Sequence, residues 1–506
     1  MTDLCLGIDV GTYSSKGVLC APDGSIVARH SVDHSLSIPR PGWAEHDADA
    51  VWWNDVVEIG RALSSALGPN DRIAAMATSA IGPCVLPVGS DERPLRPGIL
   101  YGIDARATEE IAELEERFGV AELFGHSGMN LTSQAAGPKI QWIQRHEPAI
   151  FRATAKFLTA TSYIVLRLTG EAVIDRHTAS YFNPFIDVAS GEWDLRYAPG
   201  LEMHQLPTLR WGSEVAGILL PEAAREIGLT PGIPVLVGTV DAMAEAVGAG
   251  VFEIGDMMVM YGTTAFLILV VDRRVQTARV WNAAGVFPGQ FVLTAGMSTS
   301  GAITEWFRGQ FAGDLGDDAF ATLTQEAAGS GAGARGLLLL PYFSGERTPI
   351  SDPGARGAIV GLNLSHTRGD LYRAIIDGCA LGVRDNVEAL TADWDGHIRR
   401  LVAVGGGAAS DVWLGAVSSA TRRPQEIPRV TIGAAYGDAL LAALSQGLCT
   451  PGEAAAGWVQ PVRTVEPDPH DAEVYDHLFG LYRALYAATR PIIEALGTAG
   501  EGASAR

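Results

Sequence analysis

The residues with chemistry to offer stand where apolar runs break. In G-I-D-V-G-T-Y-S-S-K-G, residues 7–17, Asp9 nearly closes a strand-like run and the turn Gly11-Thr12-Tyr13 follows. Successive N–H groups of such a turn can cradle phosphate oxygens, and glycine permits the close approach. A carboxylate beside it suits a hydrated magnesium ion, which keeps several waters and takes one or two carboxylates. Lys16 adds a positive charge. The same residues also fit a plain hairpin whose aspartate caps the turn. In G-T-V-D-A-M-A-E-A-V-G-A-G, residues 238–250, Asp241 follows the apolar run 233–237 and precedes helix-forming residues. It can be the N-cap of that helix, or a general base held ionised by the helix dipole and aimed at a substrate hydroxyl.

Two further turns resemble these in type. Gly262-Thr263-Thr264 joins the strand-like runs 257–261 and 265–271, and Gly405-Gly406-Gly407 separates a strand at 400–404 from a helix beginning near residue 410. The spacing of neither is that of a P-loop or a dinucleotide fingerprint. The triple glycine serves either as a tight crossover or as bare backbone against which a flat adenine can lie.

Elements must hold these turns in place. Runs 4–10, 15–20 and 25–31 read as strands, with Pro22-Asp23-Gly24 a hairpin signal. An amphipathic helix over 47–67 carries Trp52, Val56, Ile59 and Leu63 on one face, a strand covers 72–78, and a second helix covers 368–390. Strand, Gly-Thr turn, strand thus occurs near the start of each half. A chain of 506 residues exceeds one ordinary core, so a duplicated α/β domain with an inter-domain cleft is expected, and ligand sites favour such clefts.

Composition narrows the function. With 37 basic against 58 acidic residues the net charge is −21, which opposes general binding to nucleic acid or anionic membrane. The five cysteines are scattered without a C-x-x-C pair, as expected of reduced thiols in a cytoplasmic protein. The first residues lack the basic start of a signal peptide, and the apolar run 257–271 is too short and too interrupted for a membrane helix.

Several motifs occur in a recognisable order. G-A-I-V-G-L at 357–362 is followed by D-L-Y-R-A-I-I-D at 370–377, K-x-x-W stands at Lys139 to Trp142, and P-G-W-A-E-H-D, L-T-G and Y-G-T-T occupy 41–47, 168–170 and 261–264. In these the chain resembles the FGGY family of carbohydrate kinases, within the actin-like ATPase superfamily, over residues 7 to about 444; Gln134 and Ala136 depart from the usual residues upstream of K-x-x-W. The resemblance implies two actin-like (ribonuclease H-like) α/β domains: 1–241 for sugar and the first phosphate loop, 242–490 for nucleotide, and a flexible tail at 491–506. It implies ATP and Mg2+. Gly11, Thr12, Tyr13 and Lys16 would form one phosphate loop, Gly262, Thr263 and Thr264 the other, and Gly405, Gly406 and Gly407 the adenine side. Asp9 would be the magnesium-associated carboxylate and Asp241 the catalytic base.

The sugar motifs are less regular. Where xylulokinase-type members carry S-G-Q-M-H-G, this chain has Ser79-Ala80-Ile81-Gly82-Pro83-Cys84, without the Gln and His. The second sugar motif survives in residues 100–106 as Asp104 and Arg106. With Ser79 and Trp43 these are the implied sugar contacts. The expected substrate is a small-molecule sugar, first a ketopentose such as D-xylulose, with another ketose or polyol, or an actin-like ATP-binding protein without sugar kinase activity, as alternatives. A homodimer is a compatible assembly.

Overall fold

Two short turns fold the first 33 residues onto themselves. In the computed structural model, which describes residues 2–430 and 432–504, β1 (Thr2–Val10) and β2 (Ser14–Cys20) pair antiparallel, and β3 (Ile26–Asp33) adds to β2. The helix expected over 47–67 begins differently. Asp47 accepts from the Asp49 and Ala50 N–H groups and starts a π-helical segment, Ala48–Trp53, before α1 (Asn54–Ser64). The expected face is nevertheless the buried one, since Trp52, Val56, Ile59 and Leu63 are at most 1% exposed. β4 (Asp71–Ala80) then runs parallel to β1, and β5 (Val215–Ile218) and β6 (Pro234–Leu236) extend the sheet beyond it. A short β7 (Thr239–Val240) also pairs with β4 and leads into α2 (Asp241–Gly248).

The second half repeats this plan. β8 (Asp256–Tyr261), β9 (Ala265–Val271), β10 (Trp281–Ala284), β11 (Phe291–Met297), β12 (Arg400–Val404), β13 (Gln425–Pro428) and β14 (Pro461–Val465) form the second sheet. From β14 the order is β14-β13-β12-β8-β9-β11-β10, against β5-β6-β4-β1-β2-β3 in the first sheet. The pairing senses agree strand by strand: antiparallel, parallel, parallel, antiparallel, antiparallel. The weak repeat legible in the two Gly-Thr turns is therefore a repeat of topology. Helices α3 (Gly301–Phe311), α4 (Arg368–Thr391) and α5 (Asp411–Thr421) belong to this half.

The halves are interlocked. Helix α6 (Ala434–Ser445), from the second half, lies on β1 so closely that a Cβ on Gly7 would stand 2.0 Å from the Ala435 carbonyl oxygen. A Cβ on Gly437 would stand 1.7 Å from the Ala244 carbonyl oxygen, so α6 and α2 touch backbone to backbone. One apolar core runs through both halves here, including Cys5, Ala75, Val240, Met258, Val402 and Tyr436. The division expected at residue 241 is thus crossed by a packed helix pair. The glycines around Asp241 have a packing use: Gly238 has φ 72° and lies against the Thr78 carbonyl, and Gly248 lies against Gly437.

The tail expected at 491–506 has helical backbone as far as residue 504. Helix α7 (Pro469–Ser504) runs through residues 491–504, with Pro491 inside it; residues 505–506 lie outside the described part. Its first turns are anchored by buried Tyr475 and Tyr482 and by Tyr486, which donates to Asp352 at 2.7 Å. A helix so nucleated propagates cheaply, and one proline removes a single i→i−4 bond without ending it. All five cysteines are buried and unpaired. Among the described residues no helix is long and apolar enough to cross a membrane.

Candidate active site

Strand register assembles the site. Asp9 lies opposite Lys16 on β2 and opposite Ser79 on β4, and Ser79 lies opposite Thr239 on β7. Asp241 follows two residues beyond Thr239. Residues separated by 70 positions and more therefore meet at the carboxyl ends of parallel strands, the edge where open α/β sheets bind ligands. A cavity of about 460 Å³ opens there, lined from the first half by Asp9, Lys16, Tyr101 and Asp241 and from the second by Thr264 and Arg347.

Asp241 is the first residue of α2, and no side chain caps that helix. Its Oδ1 accepts from the adjacent Ala242 N–H at 2.7 Å. An N-cap carboxylate would instead accept from the second or third N–H of the helix, so the carboxylate is left facing the cavity. Burial raises Asp241 to about 6, against the lowering effect of the Ala242 N–H. Asp9 is pushed up to about 8, first by burial and then by the charge of Asp241, while Ser79 and Lys16 act the other way. Glu245, one helical turn beyond Asp241, is pushed to about 7 by burial and by Asp241, against Lys16. Behind them the Ser79 hydroxyl lies 2.7 Å from Asp438 Oδ2 and 3.1 Å from Asp9 Oδ1, and burial holds Asp438 well above the ordinary carboxylate range.

Three carboxyls thus face one lysine. Ionised together the three would repel one another, and a divalent cation with its waters suits such a cluster. Among the described residues no three His, Cys, Asp or Glu side chains are grouped as a metal cage. The second Gly-Thr turn is braced by α3, whose Gly301 and Ala302 N–H groups donate to the Gly262 and Thr263 carbonyls at 2.9 and 3.0 Å. Of the triple glycine, Gly405 at φ 89° and Gly407 press on Tyr261, while a Cβ on Gly406 would meet nothing within 4 Å. Gly406 is therefore the open face. Tyr13 is 64% exposed, and Thr12 Oγ1 lies 3.2 Å from the Tyr101 hydroxyl.

The implied sugar contacts are placed elsewhere. Asp104 is fully buried, with Oδ2 accepting from the Ala44 N–H and from Arg106, and Oδ1 accepting from the Arg106 backbone and Nε. Arg106 also pairs with Glu45 and lies 4.0 Å from the Trp43 ring, which packs edge-on against Trp142. Asp104, Arg106 and Trp43 form a closed ion-aromatic cluster beside the cavity wall, and Ser79 stands behind Asp9. Lys139 of K-x-x-W is buried, and its Nζ donates to the Leu100, Tyr101 and Ser133 carbonyls. It thereby holds the segment that presents Tyr101 to the cavity.

Sequence reasoning missed much of the polar lining: Tyr101, Asn130, Gln134, Asn183 and Arg347. Pro83, where other members carry His, lines the cavity directly, and Ile81, in place of Gln, is 1% exposed core. Arg347 was detectable as a charged residue in Gly345-Glu346-Arg347-Thr348-Pro349, between a turn glycine and a proline. It donates to the Met297 carbonyl at 2.7 Å, and its buried Nε has no partner.

Family models cover most of the chain. The N-terminal domain model of the FGGY family of carbohydrate kinases matches residues 4–248, and the C-terminal domain model matches residues 257–446. The chain belongs to this family. Xylulose kinase of Escherichia coli K12 is 31% identical over 413 residues, 81% of this chain and 83% of that protein. Gluconokinase of Bacillus subtilis is 26% identical over 494 residues, 95% of each. A solved structure of xylulose kinase from Rhodospirillum rubrum superposes with a TM-score of 0.92 at 33% identity, over 97% of this chain and 100% of that one. The fold is accordingly the two-domain, actin-like one, and the chain is a carbohydrate kinase that transfers phosphate to an alcohol.

Proposed function

We propose that this FGGY kinase transfers the γ-phosphate of ATP to a hydroxyl of a ketopentose, D-xylulose giving D-xylulose 5-phosphate. The observation that carries the reading is Asp241, a carboxylate on the cavity wall whose accepted hydrogen bond comes from its own helix start. A sugar hydroxyl attacks the γ-phosphorus, the new O–P bond forms as the bond to the β,γ-bridging oxygen breaks, and the hydroxyl proton passes to Asp241. Asp9 would hold a hydrated Mg2+, and Lys16 restrains the charge of Asp9 and Glu245. Mg2+ when bound supplies neutralisation of phosphate charge. The turns at Gly11-Thr12-Tyr13 and Gly262-Thr263-Thr264 hold phosphate from the two sides of the cleft, and Gly406 offers its open face to adenine.

Ketopentose as substrate is supported by the xylulose kinases among the relatives and by a cavity of the size that encloses small ligands. Tyr101, Asn130, Gln134 and Asn183 provide hydroxyl-binding groups in place of the missing Gln and His. A sugar acid is the second reading, supported by the gluconokinase among the relatives and by Arg347 as a cationic residue of the cavity lining. A panel of pentuloses, hexuloses, tetritols, glycerol and gluconate, each assayed for ATP-dependent phosphorylation, decides between them. D-xylulose should give the highest kcat/KM. A tenfold preference for gluconate would establish the second reading, and ATP turnover that no acceptor stimulates would overturn both.

A further inference from the structure

A buried histidine pair lies beneath the first phosphate turn and is used by none of the chemistry above. His34 Nδ1 is 2.7 Å from Asp55 Oδ2, and His34 Nε2 is 3.1 Å from the Gly11 carbonyl oxygen. Ser15 donates to the same Asp55 oxygen at 2.6 Å. The His34 and Asp55 side chains are 7% and 3% exposed. A carbonyl oxygen can only accept, so Nε2 carries a proton. The oxygen facing Nδ1 already accepts from Ser15 and, as a carboxylate, can only accept again, so Nδ1 carries one too. The ring is an imidazolium.

His46 completes the nook. Its ring meets that of His34 edge-on at 5.1 Å, and its Nδ1 accepts from Trp52 Nε1 at 3.1 Å. Burial, and then the charge of His34, push His46 down to about 4, so it is the neutral member. His34 is raised above its ordinary value: burial opposes the charge, but Asp55 and the Gly11 and Thr12 backbone outweigh it. The ionisable groups facing His34 are thus Asp55 from α1 and His46.

We propose that His34, held as an imidazolium between Asp55 and the Gly11 carbonyl, is a positioning residue that locks the first phosphate turn, so that nucleotide binding weakens when the ring loses its proton. The Gly11 carbonyl and the Thr12 N–H belong to one trans peptide and point in opposite directions. Pinning the carbonyl on the buried ring therefore aims the Thr12 N–H away from it, to the ligand side of the turn, and sets a positive charge behind a phosphate site. The inference rests on the assignment of that turn to the phosphates of ATP.

The test is calorimetric titration of the full chain with ATP and Mg2+ between pH 7 and 9.5, where ATP itself no longer titrates. Wild type should bind more weakly as pH rises through this range. His34→Gln, which keeps a donor for Gly11 but no charge, should bind about tenfold more weakly at pH 7, the scale of one charge-assisted hydrogen bond, and should lack the wild-type fall, leaving only the titration it shares with wild type through Asp9 and Glu245. Asp55→Asn should shift the fall to lower pH, and decides the matter should His34→Gln not fold. A His34→Gln protein within twofold of wild type at pH 7, or an Asp55→Asn profile superposing on wild type, overturns the inference while leaving sugar-stimulated turnover intact. Failure of the wild type to bind ATP overturns the nucleotide reading and this inference with it.

Discussion

Replacing Asp241 by Asn separates its catalytic role from a structural one. The amide keeps the volume and an acceptor for the Ala242 N–H, which the carboxylate meets at 2.7 Å, but it can no longer take a proton. Loss of a general base lowers kcat by about 10² to 10⁴, equivalent to about 3–5 kcal/mol of barrier. Stability should move the opposite way. Burial holds Asp241 at about 6, above its usual 3.8, so the folded chain is stabilised relative to the ionised case below pH 4, and that advantage is lost as pH rises through 6. At pH 7 ionisation costs at most about 3 kcal/mol, and Asn removes the cost along with repulsion from Asp9 and Glu245. The variant should melt at the wild-type temperature or a few degrees above it, bind ATP within about twofold of wild type, and lose nearly all sugar phosphorylation. Calorimetric melting, ATP titration and a coupled phosphorylation assay measure the three quantities. A variant that melts lower yet keeps its activity per folded molecule would refute the base and leave Asp241 a structural role alone.

Two further outcomes follow from the same geometry. With Asp241 raised to about 6, kcat for the sugar should fall as pH drops through that value, because the base must be ionised to accept a proton; an acid limb no higher than pH 4 would contradict the burial of Asp241. Gly437→Ala should force α6 from α2, since its Cβ would stand 1.7 Å from the Ala244 carbonyl oxygen. Overpacking against backbone costs about 1–3 kcal/mol or more, read as a lowered denaturation midpoint, and an unchanged midpoint would show that the helix pair has slack.

Much of the framework was legible because it is written in local patterns. The strands flanking Gly262-Thr263-Thr264, the buried face of Trp52, Val56, Ile59 and Leu63, and the helix at 368–391 follow from periodicity and turn chemistry, which act over a few residues. The π-helical start at 48–53 was not legible, because a single extra residue per turn leaves the same apolar face buried. The helix through 491–504 was missed for a related reason: its composition reads as a tail, and only anchoring upstream by Tyr475, Tyr482 and Tyr486 carries the helix on.

For the site, residue types and motif order alone singled out Asp9, Asp241, the two Gly-Thr turns and the triple glycine, because each stands at a break between elements and the backbone there is locally specified. Tertiary structure decided the rest. Register across β1, β4 and β7 brings Asp9, Ser79 and Asp241 to one sheet edge, and packing closes Asp104 and Arg106 on each other beside the cavity instead of into it. Only the folded chain places Tyr101, Asn130 and Arg347 on the cavity wall and His34 behind the Gly11 carbonyl. The physical reason is that a lone polar residue carries no local signature of its partner, and partners are chosen by which buried groups must satisfy one another once the strands have paired.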